Sequence, residues 1–447
     1  MTNRLDTAVD RRVVTALEVV IAFLVSATAG WVLVAPVAAG YAIGGTRGEL
    51  QLVATSRPLA AAIGVVLAIA TAALLSRRTD TRAARPVSLV GLSVIVWATL
   101  VSDQVQQVEW VIAQPYLSGV GAGLALGGCA VAAAGHRSSS AALAGGALAA
   151  FLLAVDITQT AAMSEGSGST AYSLDGLSGL VAAPSWWLLL PAVGFSIAGA
   201  MVGRRASNAL APQPSRAVVS GLIVVVAGLG TNAALVAHHD GWAVAVPALA
   251  VFALAVMFAA YRLDGRDGQL LLTATAVAAA GATMIAGAGM TWIGVAIVAA
   301  TLAVGLVVGL RWPRATLALV LLAAISALGM VATNDLWFVD GIRYLALAPV
   351  AGYALGSATR TSAASGVVGV SVLFVPTALS VAGQGSESDD YWGNLSPVAM
   401  LERGMMSPTP PDPRGLALVM TLVVVGMAVA LRVLRARRPE TEPVSAA

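Results

Sequence analysis

The sequence contains little charge and no lysine. Only 11% of its 447 residues are charged, and all 25 basic residues are arginines. A soluble domain has about a quarter charged residues, so this chain lacks the polar surface that a soluble protein of its size needs. Its hydrophobic fraction of 58% instead indicates a protein that lies in a lipid bilayer.

Cysteine and the common catalytic motifs are also scarce. Cys129 is the one cysteine, so neither a disulfide within the chain nor a cysteine-rich metal site is possible. The sequence contains no Walker loop, no HExxH and no GxSxG pattern. We therefore expect no metal, no cofactor and no enzymatic activity. A membrane enzyme acting on lipids is the weakest alternative, because it would need a polar or metal-binding cluster.

Long apolar runs, in contrast, are abundant. Runs of about 20 residues recur along the whole chain, which is the length that an α-helix needs to cross a bilayer. The sequence therefore predicts an all-α polytopic membrane protein with fourteen transmembrane helices. The runs fall near residues 14–36, 58–76, 86–103, 114–135, 141–163, 184–203, 217–237, 243–261, 269–288, 291–310, 315–333, 343–358, 366–383 and 415–434.

The arginines alternate between the loops. If the N-terminus is inside, twenty of the 25 lie in inner segments and five in outer ones, namely Arg47, Arg57, Arg343, Arg403 and Arg414. Because arginine-rich loops stay on the cytoplasmic side, we predict a multi-pass protein of the cell (cytoplasmic) membrane with both termini in the cytoplasm. Arginines scattered over short loops do not predict nucleic-acid binding.

Four polar residues in or near the runs are candidates for transport chemistry. Glu18 lies in the first run, Arg57 at the outer end of the second, and Asp156 and Gln159 deep in the fifth. Charged groups inside a membrane usually face a bundle interior or a water-filled cavity, where a carboxyl group can carry a proton. The alternative is a structural role, in which Glu18 and Asp156 reach the interface or pair with a neighbour. Hydrophobicity continues past Glu18 through Val34, so we expect an uncleaved first span rather than a signal peptide.

A short basic segment, residues 75–86, joins the second and third runs. It carries five charged side chains, which predict a cytoplasmic loop, and the family resemblance given below implies that this is a gating loop. These are Arg77, Arg78, Asp80, Arg82 and Arg85.

Several stretches resemble the fourteen-span drug/proton antiporter branch of the major facilitator superfamily, in the order and spacing of that family. The glycines at 119, 121 and 123 are similar to its span-four motif, and a long outer loop precedes the last span. The other matching stretches are Ala35-Pro36, residues 49–55, Ser185-Trp186-Trp187 with Pro191, and Asp240-Gly241-Trp242.

The charged residues of the family's motifs are replaced in this chain. In the loop between spans two and three, the family's aspartate aligns with Arg77 and its second glycine with Asp80, while Arg82 fits the closing arginine. The first-helix aspartate aligns with Ala27 and the span-four arginine with Pro115. Either Asp156 and Arg57 have taken over the coupling role, or the chain keeps the fold with a lost or altered activity.

The resemblance implies two six-helix bundles with two extra central spans. The N-terminal bundle would cover residues 1–203, the linker and extra spans 204–268, and the C-terminal bundle 269–438 with a long outer loop at 384–414. Residues 439–447 would be a cytoplasmic tail. The extra spans would lie at the periphery, and alternating access would expose a midplane cavity. Its candidate lining in the second half is mostly apolar: Thr283, Met284, Tyr353 and Phe374.

Two functions remain open on the sequence. The first is a secondary transporter that exports a lipophilic small molecule or a lipid, driven by protons, because an apolar cavity suits such a substrate. The second is a transport-inactive relative that acts as a scaffold or partner of an envelope protein. The replaced motif residues favour the second function, and the intramembrane carboxyl groups favour the first.

Overall fold

The fold is entirely α-helical in the described part of the chain. A computed structural model describes residues 2–34, 47–77, 83–102, 108–165, 186–202, 214–237, 242–263, 267–282, 292–330, 337–359, 362–374 and 413–437. These residues form fourteen helices, and each of the fourteen predicted apolar runs overlaps one of them. The prediction of an all-α protein with fourteen spans is confirmed.

The helices are numbered in chain order. They are α1 (Thr2–Val34), α2 (Arg47–Arg77), α3 (Ala84–Ser102), α4 (Val108–Ala133), α5 (Arg137–Glu165), α6 (Trp186–Val202), α7 (Pro214–Ala237), α8 (Trp242–Arg262), α9 (Gly268–Ala282), α10 (Trp292–Arg311), α11 (Ala315–Leu328), α12 (Trp337–Ala358), α13 (Ala363–Ser371) and α14 (Pro413–Arg437). Eight of them contain a stretch that is long and apolar enough to cross a membrane.

Several helices extend beyond their apolar runs. The run predicted at 14–36 overlaps α1, which starts twelve residues earlier at Thr2, and the run at 343–358 lies within α12, which starts at Trp337. An apolar run marks the part of a helix that lies in lipid, whereas the helical hydrogen bonds can continue into water. Arg343, which we expected in an outer loop, therefore lies inside α12. Likewise, Arg85 lies in the first turn of α3 rather than in a loop.

The two ends of the bundle differ in composition. One end, here called the arginine-rich end, carries Arg77, Arg85, Arg137, Arg262, Arg311, Arg314 and Arg437 at or near helix termini. The opposite, tryptophan-rich end carries Trp31, Trp97, Trp110, Trp187, Trp242, Trp292 and Trp337. Tryptophan is enriched at membrane–water interfaces, which agrees with a bundle that spans a bilayer.

Glycine lets neighbouring helix backbones touch. A Cβ atom added at Gly119 of α4 would lie 2.6 Å from the carbonyl oxygen of Ala60 in α2, and one at Gly127 would lie 2.6 Å from that of Ala68. The α10–α12 pair is built in the same way, with Gly356 packed 2.5 Å from the carbonyl oxygen of Leu306 by the same measure. Because lipid provides no hydrophobic drive for helix association, such close approach is a main source of packing energy in membranes.

The hairpin of α7 and α8 connects the N-terminal helices (α1–α6) with the C-terminal helices (α9–α14). Helix α8 contacts α9 and α14, and Tyr261 donates a hydrogen bond to the carbonyl oxygen of Ala430 at 3.3 Å. Helix α7 packs against α8 and also against α2 and α13. Gly221 of α7 lies beside Ile69 of α2 and Val368 of α13. The hairpin therefore touches both sets of helices rather than one alone.

Replacing Gly119 by alanine should destabilise the protein. The added methyl group would meet the backbone of α2, which cannot move aside as a flexible side chain can, so we expect a loss of about 1–3 kcal/mol. Thermal unfolding of the purified protein in detergent measures this. Gly194→Ala is the matched control, because an added Cβ there has no neighbour within 4 Å. Equal effects of the two substitutions would contradict the role of backbone contact.

Candidate functional site

The N-terminal and C-terminal helices meet along one interface, here called the seam. It consists of the contacts of α2, α4 and α5 with α10, α12 and α13. Helices α10 and α12 pack against α5, and α13 packs against α2, α4 and α5.

The seam is closed by side chains rather than by touching backbones. Phe151 of α5 packs against Gly281 of α9 and lies near Leu347 of α12, and the ring of Phe374 fills the space beside Gly30 of α1. Phe374 itself is only 3% exposed. These contacts are apolar and involve few backbone atoms, so their separation would expose few polar groups.

A hydrogen bond between a side chain and the backbone crosses the seam. The hydroxyl group of Tyr344 in α12 donates to the carbonyl oxygen of Leu152 in α5 at 2.7 Å. A net contribution of about 1 kcal/mol is typical of a neutral hydrogen bond. Such a bond can fix the relative position of two helices without making their separation costly.

A cavity lies within the seam at the arginine-rich end. Its volume is about 280 Å³, which includes space open to solvent, and it is lined by both sets of helices: Ala130, Ala133, Ser140 and Leu143 from α4 and α5, and Leu270, Thr359, Ser362, Ala363, Gly366 and Val370 from α9, α13 and the segment before α13. Its hydroxyl groups come from opposite sides of the seam. The lining is therefore mostly apolar with a few polar points, which suits an amphipathic ligand.

A second cavity, of about 410 Å³ with its open mouth, lies among the N-terminal helices at the same end. Glu18 of α1 and Arg85 of α3 form an ion pair at its wall, with 2.9 Å between Oε1 and Nη2. Arg85 also donates to the carbonyl oxygen of Gly199 in α6. One guanidinium group thus joins three helices. Ser196 lines the cavity too, and its buried hydroxyl oxygen has no hydrogen-bond partner in the described part of the chain.

The pairing of Glu18 with Arg85 agrees with the structural alternative for Glu18. The two side chains are 17% and 21% exposed, so the carboxylate is shielded from water but has a cationic partner. A buried charge that is paired and hydrogen-bonded serves packing and orientation. The cavity beside it keeps a route by which water could reach the carboxylate.

The remaining candidates for coupling lie partly outside the described residues. Asp156 and Gln159 belong to α5 and Arg57 to α2, but the structure does not describe their side chains. Thr283 and Met284 lie outside the described residues, as do Arg78, Asp80 and Arg82 of the predicted gating loop; Arg77 is an exposed residue at the end of α2. The proposed partnership of Asp156 and Arg57 therefore stays a prediction.

Tyr353 and Phe374, the two predicted lining residues that the structure describes, take different positions. Phe374 lies on the seam beside α1. The hydroxyl group of Tyr353 donates to the carbonyl oxygen of Trp312 at 3.0 Å, and this bond lies within the C-terminal helices. Their roles as cavity lining remain predictions.

Sequence reasoning missed a polar cluster at the arginine-rich end of the C-terminal helices. Ser365 donates to Asp267 at 2.6 Å, and Arg435 donates to Gln269 at 3.2 Å. These bonds join α13 and α14 to the beginning of α9. All four residues lie near helix ends that the sequence predicts on the same side of the membrane. This was the one signal that could have indicated their proximity.

Arg343 is a further residue that was interpreted wrongly. The sequence places it among the outer-loop arginines, but it lies within α12, is 3% exposed and donates to the carbonyl oxygen of Ile325 in the last turn of α11. Gly329 at the end of α11 leaves room for the guanidinium group. A cation at a helix C-terminus is favourable because the last carbonyl groups carry partial negative charge.

Comparison with solved structures identifies the fold. The major facilitator superfamily proton:xylose symporter XylE, bound to 6-bromo-6-deoxy-D-glucose, is similar with a TM-score of 0.51 and 11% identity over 92% of this chain and 94% of that chain. The POT family transporter PepTSo matches with a TM-score of 0.47 and 13% identity over 95% of this chain and 99% of that chain. A bacterial homologue of the human lysosomal transporter Spinster matches with a TM-score of 0.45 and 13% identity over 96% and 98%.

No protein-family model matches the sequence, and no curated protein matches it. The likeness to XylE shows that the chain has the major facilitator fold, as the resemblance of its motifs implied. The narrower assignment to the fourteen-span drug/proton antiporter branch stays a prediction.

Removing either member of the Glu18–Arg85 pair should destabilise the N-terminal helices. Because the pair is mostly shielded, loss of one partner leaves a charge that is hard to solvate, and we expect about 2 kcal/mol for Glu18→Gln or Arg85→Gln. Thermal unfolding in detergent measures each variant and the double variant, which should cost less than the sum. Arg77→Gln is the control, because Arg77 is exposed. Strict additivity would show that the pair contributes nothing as a pair.

Proposed function

We propose that the protein is a secondary active transporter that exports a lipophilic small molecule or a lipid by alternating access, driven by protons. The observation that carries this proposal is the seam, with a cavity at its arginine-rich end whose lining comes from both sets of helices. In the proposal, α1–α6 and α9–α14 act as two bodies, and α7 and α8 stay at their edge. The arginine-rich end faces the cytoplasm, as the arginine distribution predicts.

The proposed substrate class follows from the lining. Seven of the ten residues around the seam cavity are alanine, leucine, valine or glycine, and three carry hydroxyl groups. Such a wall offers no charge to an ionic substrate. A lipophilic molecule with one or two polar atoms matches it better than a sugar or a peptide does.

Proton coupling is assigned to Asp156 in this proposal. Among the candidate carboxyl groups, Glu18 already has a cationic partner, which makes it the weaker candidate for a group that changes its protonation during transport. Asp156 lies in α5, the helix that contacts α10, α12 and α13 across the seam. A protonation change on that helix can therefore act on the interface itself. The proton-coupled symporter of the same fold motivates protons as the ion to test.

The Asp156→Asn substitution tests this assignment. Purified protein in liposomes is given an outwardly or inwardly directed proton gradient, and flux of a fluorescent lipophilic dye and of a fluorescent phospholipid is followed. We expect proton-driven flux to fall by about tenfold or more, while exchange without a gradient persists, because asparagine imitates a permanently neutral carboxyl group. Glu165→Gln, at the end of the same helix, is the matched control.

Wild-type flux in Asp156→Asn would remove this residue from the mechanism. The alternative function, a transport-inactive scaffold or partner of an envelope protein, is favoured by the motif positions now occupied by Arg77, Ala27 and Pro115. It predicts no flux of either probe in the wild-type protein, together with a stoichiometric protein partner on gentle purification.

A further inference from the structure

Three tryptophans form a continuous aromatic contact between the two sets of helices at the tryptophan-rich end. The ring of Trp187 in α6 meets that of Trp31 in α1 with 6.5 Å between centroids and 88° between planes. It also meets Trp292 of α10 at 6.5 Å and 84°. Trp31 and Trp187 belong to the N-terminal helices and Trp292 to the C-terminal helices. The edge-to-face contact of Trp187 with Trp292 must therefore break whenever the two sets separate at this end.

The innermost ring of this group has an unused hydrogen-bond donor. Trp31 is 3% exposed, and its indole N–H has no hydrogen-bond partner in the described residues. Buried N–H groups are nearly always paired, so an unpaired one needs an explanation. Trp187 and Trp292, in contrast, are each 54% exposed. The group thus combines two half-exposed indole rings with one buried, unpaired donor.

One edge of the seam is covered by another helix, and the tryptophan group lies at the opposite edge. At the edge formed by α2 and α13, α7 packs over the seam through Gly221, Ile69 and Val368. The other edge is formed by α5 and α10, and Trp292 is the first residue of α10. Only 22% of the apolar window of α10 is buried, so this edge faces lipid. A lipophilic molecule therefore meets the seam most directly at the tryptophan group.

We propose that Trp31, Trp187 and Trp292 form a binding site for a lipophilic molecule that carries a hydrogen-bond-accepting oxygen, through which it passes between the seam and the surrounding lipid. The faces of Trp187 and Trp292 hold its hydrocarbon part, and the N–H of Trp31 donates to its oxygen. The inference rests on the proposed function, since it locates the point where the transported molecule leaves. The same chemistry occurs in a diacyl lipid and in a single-chain ester.

A second tryptophan pair in the same protein provides the comparison. Trp97 of α3 and Trp110 of α4 also meet edge to face, at 5.9 Å and 90°, and the indole N–H of Trp110 also lacks a partner in the described part of the chain. Both rings belong to the N-terminal helices, so their contact does not join the two sets. Like the proposed site, this pair lies at the tryptophan-rich end and has an indole N–H group without a partner in the described residues. Unlike the proposed site, it does not join the two sets of helices.

Photolabelling in liposomes tests the site. Three probes carry a photoactivated diazirine on an alkyl chain: a diacylglycerol, a single-chain alkyl ester, and an alkane without oxygen. We expect at least one oxygenated probe to label peptides around Trp187 and Trp292 in a saturable way, and the alkane to label them weakly. Trp31→Phe, which keeps a ring but removes the N–H donor, should lower saturable labelling by about 3- to 10-fold, the change expected from one neutral hydrogen bond. Trp110→Phe should leave it unchanged.

The possible results distinguish a binding site from tryptophans that only anchor the protein at the interface. They also distinguish this proposal from the proposed function. Labelling by the diacylglycerol alone identifies a membrane lipid as the ligand, and labelling by the single-chain ester alone identifies a smaller compound. Equal labelling of wild type and Trp31→Phe, or equal labelling by the alkane, would show that these tryptophans are interfacial anchors only. Because labelling needs no gradient, Trp31-dependent labelling without flux would contradict transport but not the site, and flux without such labelling would contradict the site but not transport.

Discussion

Close approach of helix backbones at glycine is the constraint on which the rest of this structure depends. Lipid provides no drive to bury apolar side chains, so helices must gain their packing energy from contact with one another. In the pairs α2–α4, α3–α4 and α10–α12, glycine allows one helix to touch the carbonyl groups of its neighbour. These pairs leave no room for even one added methyl group. They therefore behave as rigid units, and any relative motion has to occur elsewhere.

The seam is built on the opposite principle. It is filled by the side chains of Phe151, Phe374 and Leu347, and the Tyr344 hydroxyl group donates a hydrogen bond across it. Side chains can change rotamer, whereas close backbone contacts cannot adjust in this way, so the packing of the seam differs from the packing of the glycine-based helix pairs. The ion pair of Glu18 with Arg85 and the polar cluster around Asp267 each lie within one set. The strong electrostatic contacts thus stabilise the parts that stay together.

Sequence reasoning could predict the number of helices, because the length of an apolar run follows directly from the thickness of a bilayer. It could not predict which residues meet. Helices that are apolar all round carry little information about their faces, so the contact of Glu18 with Arg85, 67 residues away, leaves no periodic signal. Arg343 was misplaced because α12 begins at Trp337, before the apolar run that starts at residue 343. The ring contacts of Trp31, Trp187 and Trp292 join three helices, and no sequence pattern predicted them.

The central claim is that α1–α6 and α9–α14 move as two bodies along the seam. Pulsed electron paramagnetic resonance distances in liposomes test it most directly, with Cys129→Ser as background and spin labels at Ser138→Cys and Arg314→Cys, which are exposed positions on opposite sides of the seam. Labels at Ser138→Cys and Arg77→Cys provide a pair within the N-terminal helices. The account predicts two distance populations for the first pair, with a ratio that changes with pH, and one unchanged population for the second. A single, pH-independent population for both pairs would contradict it.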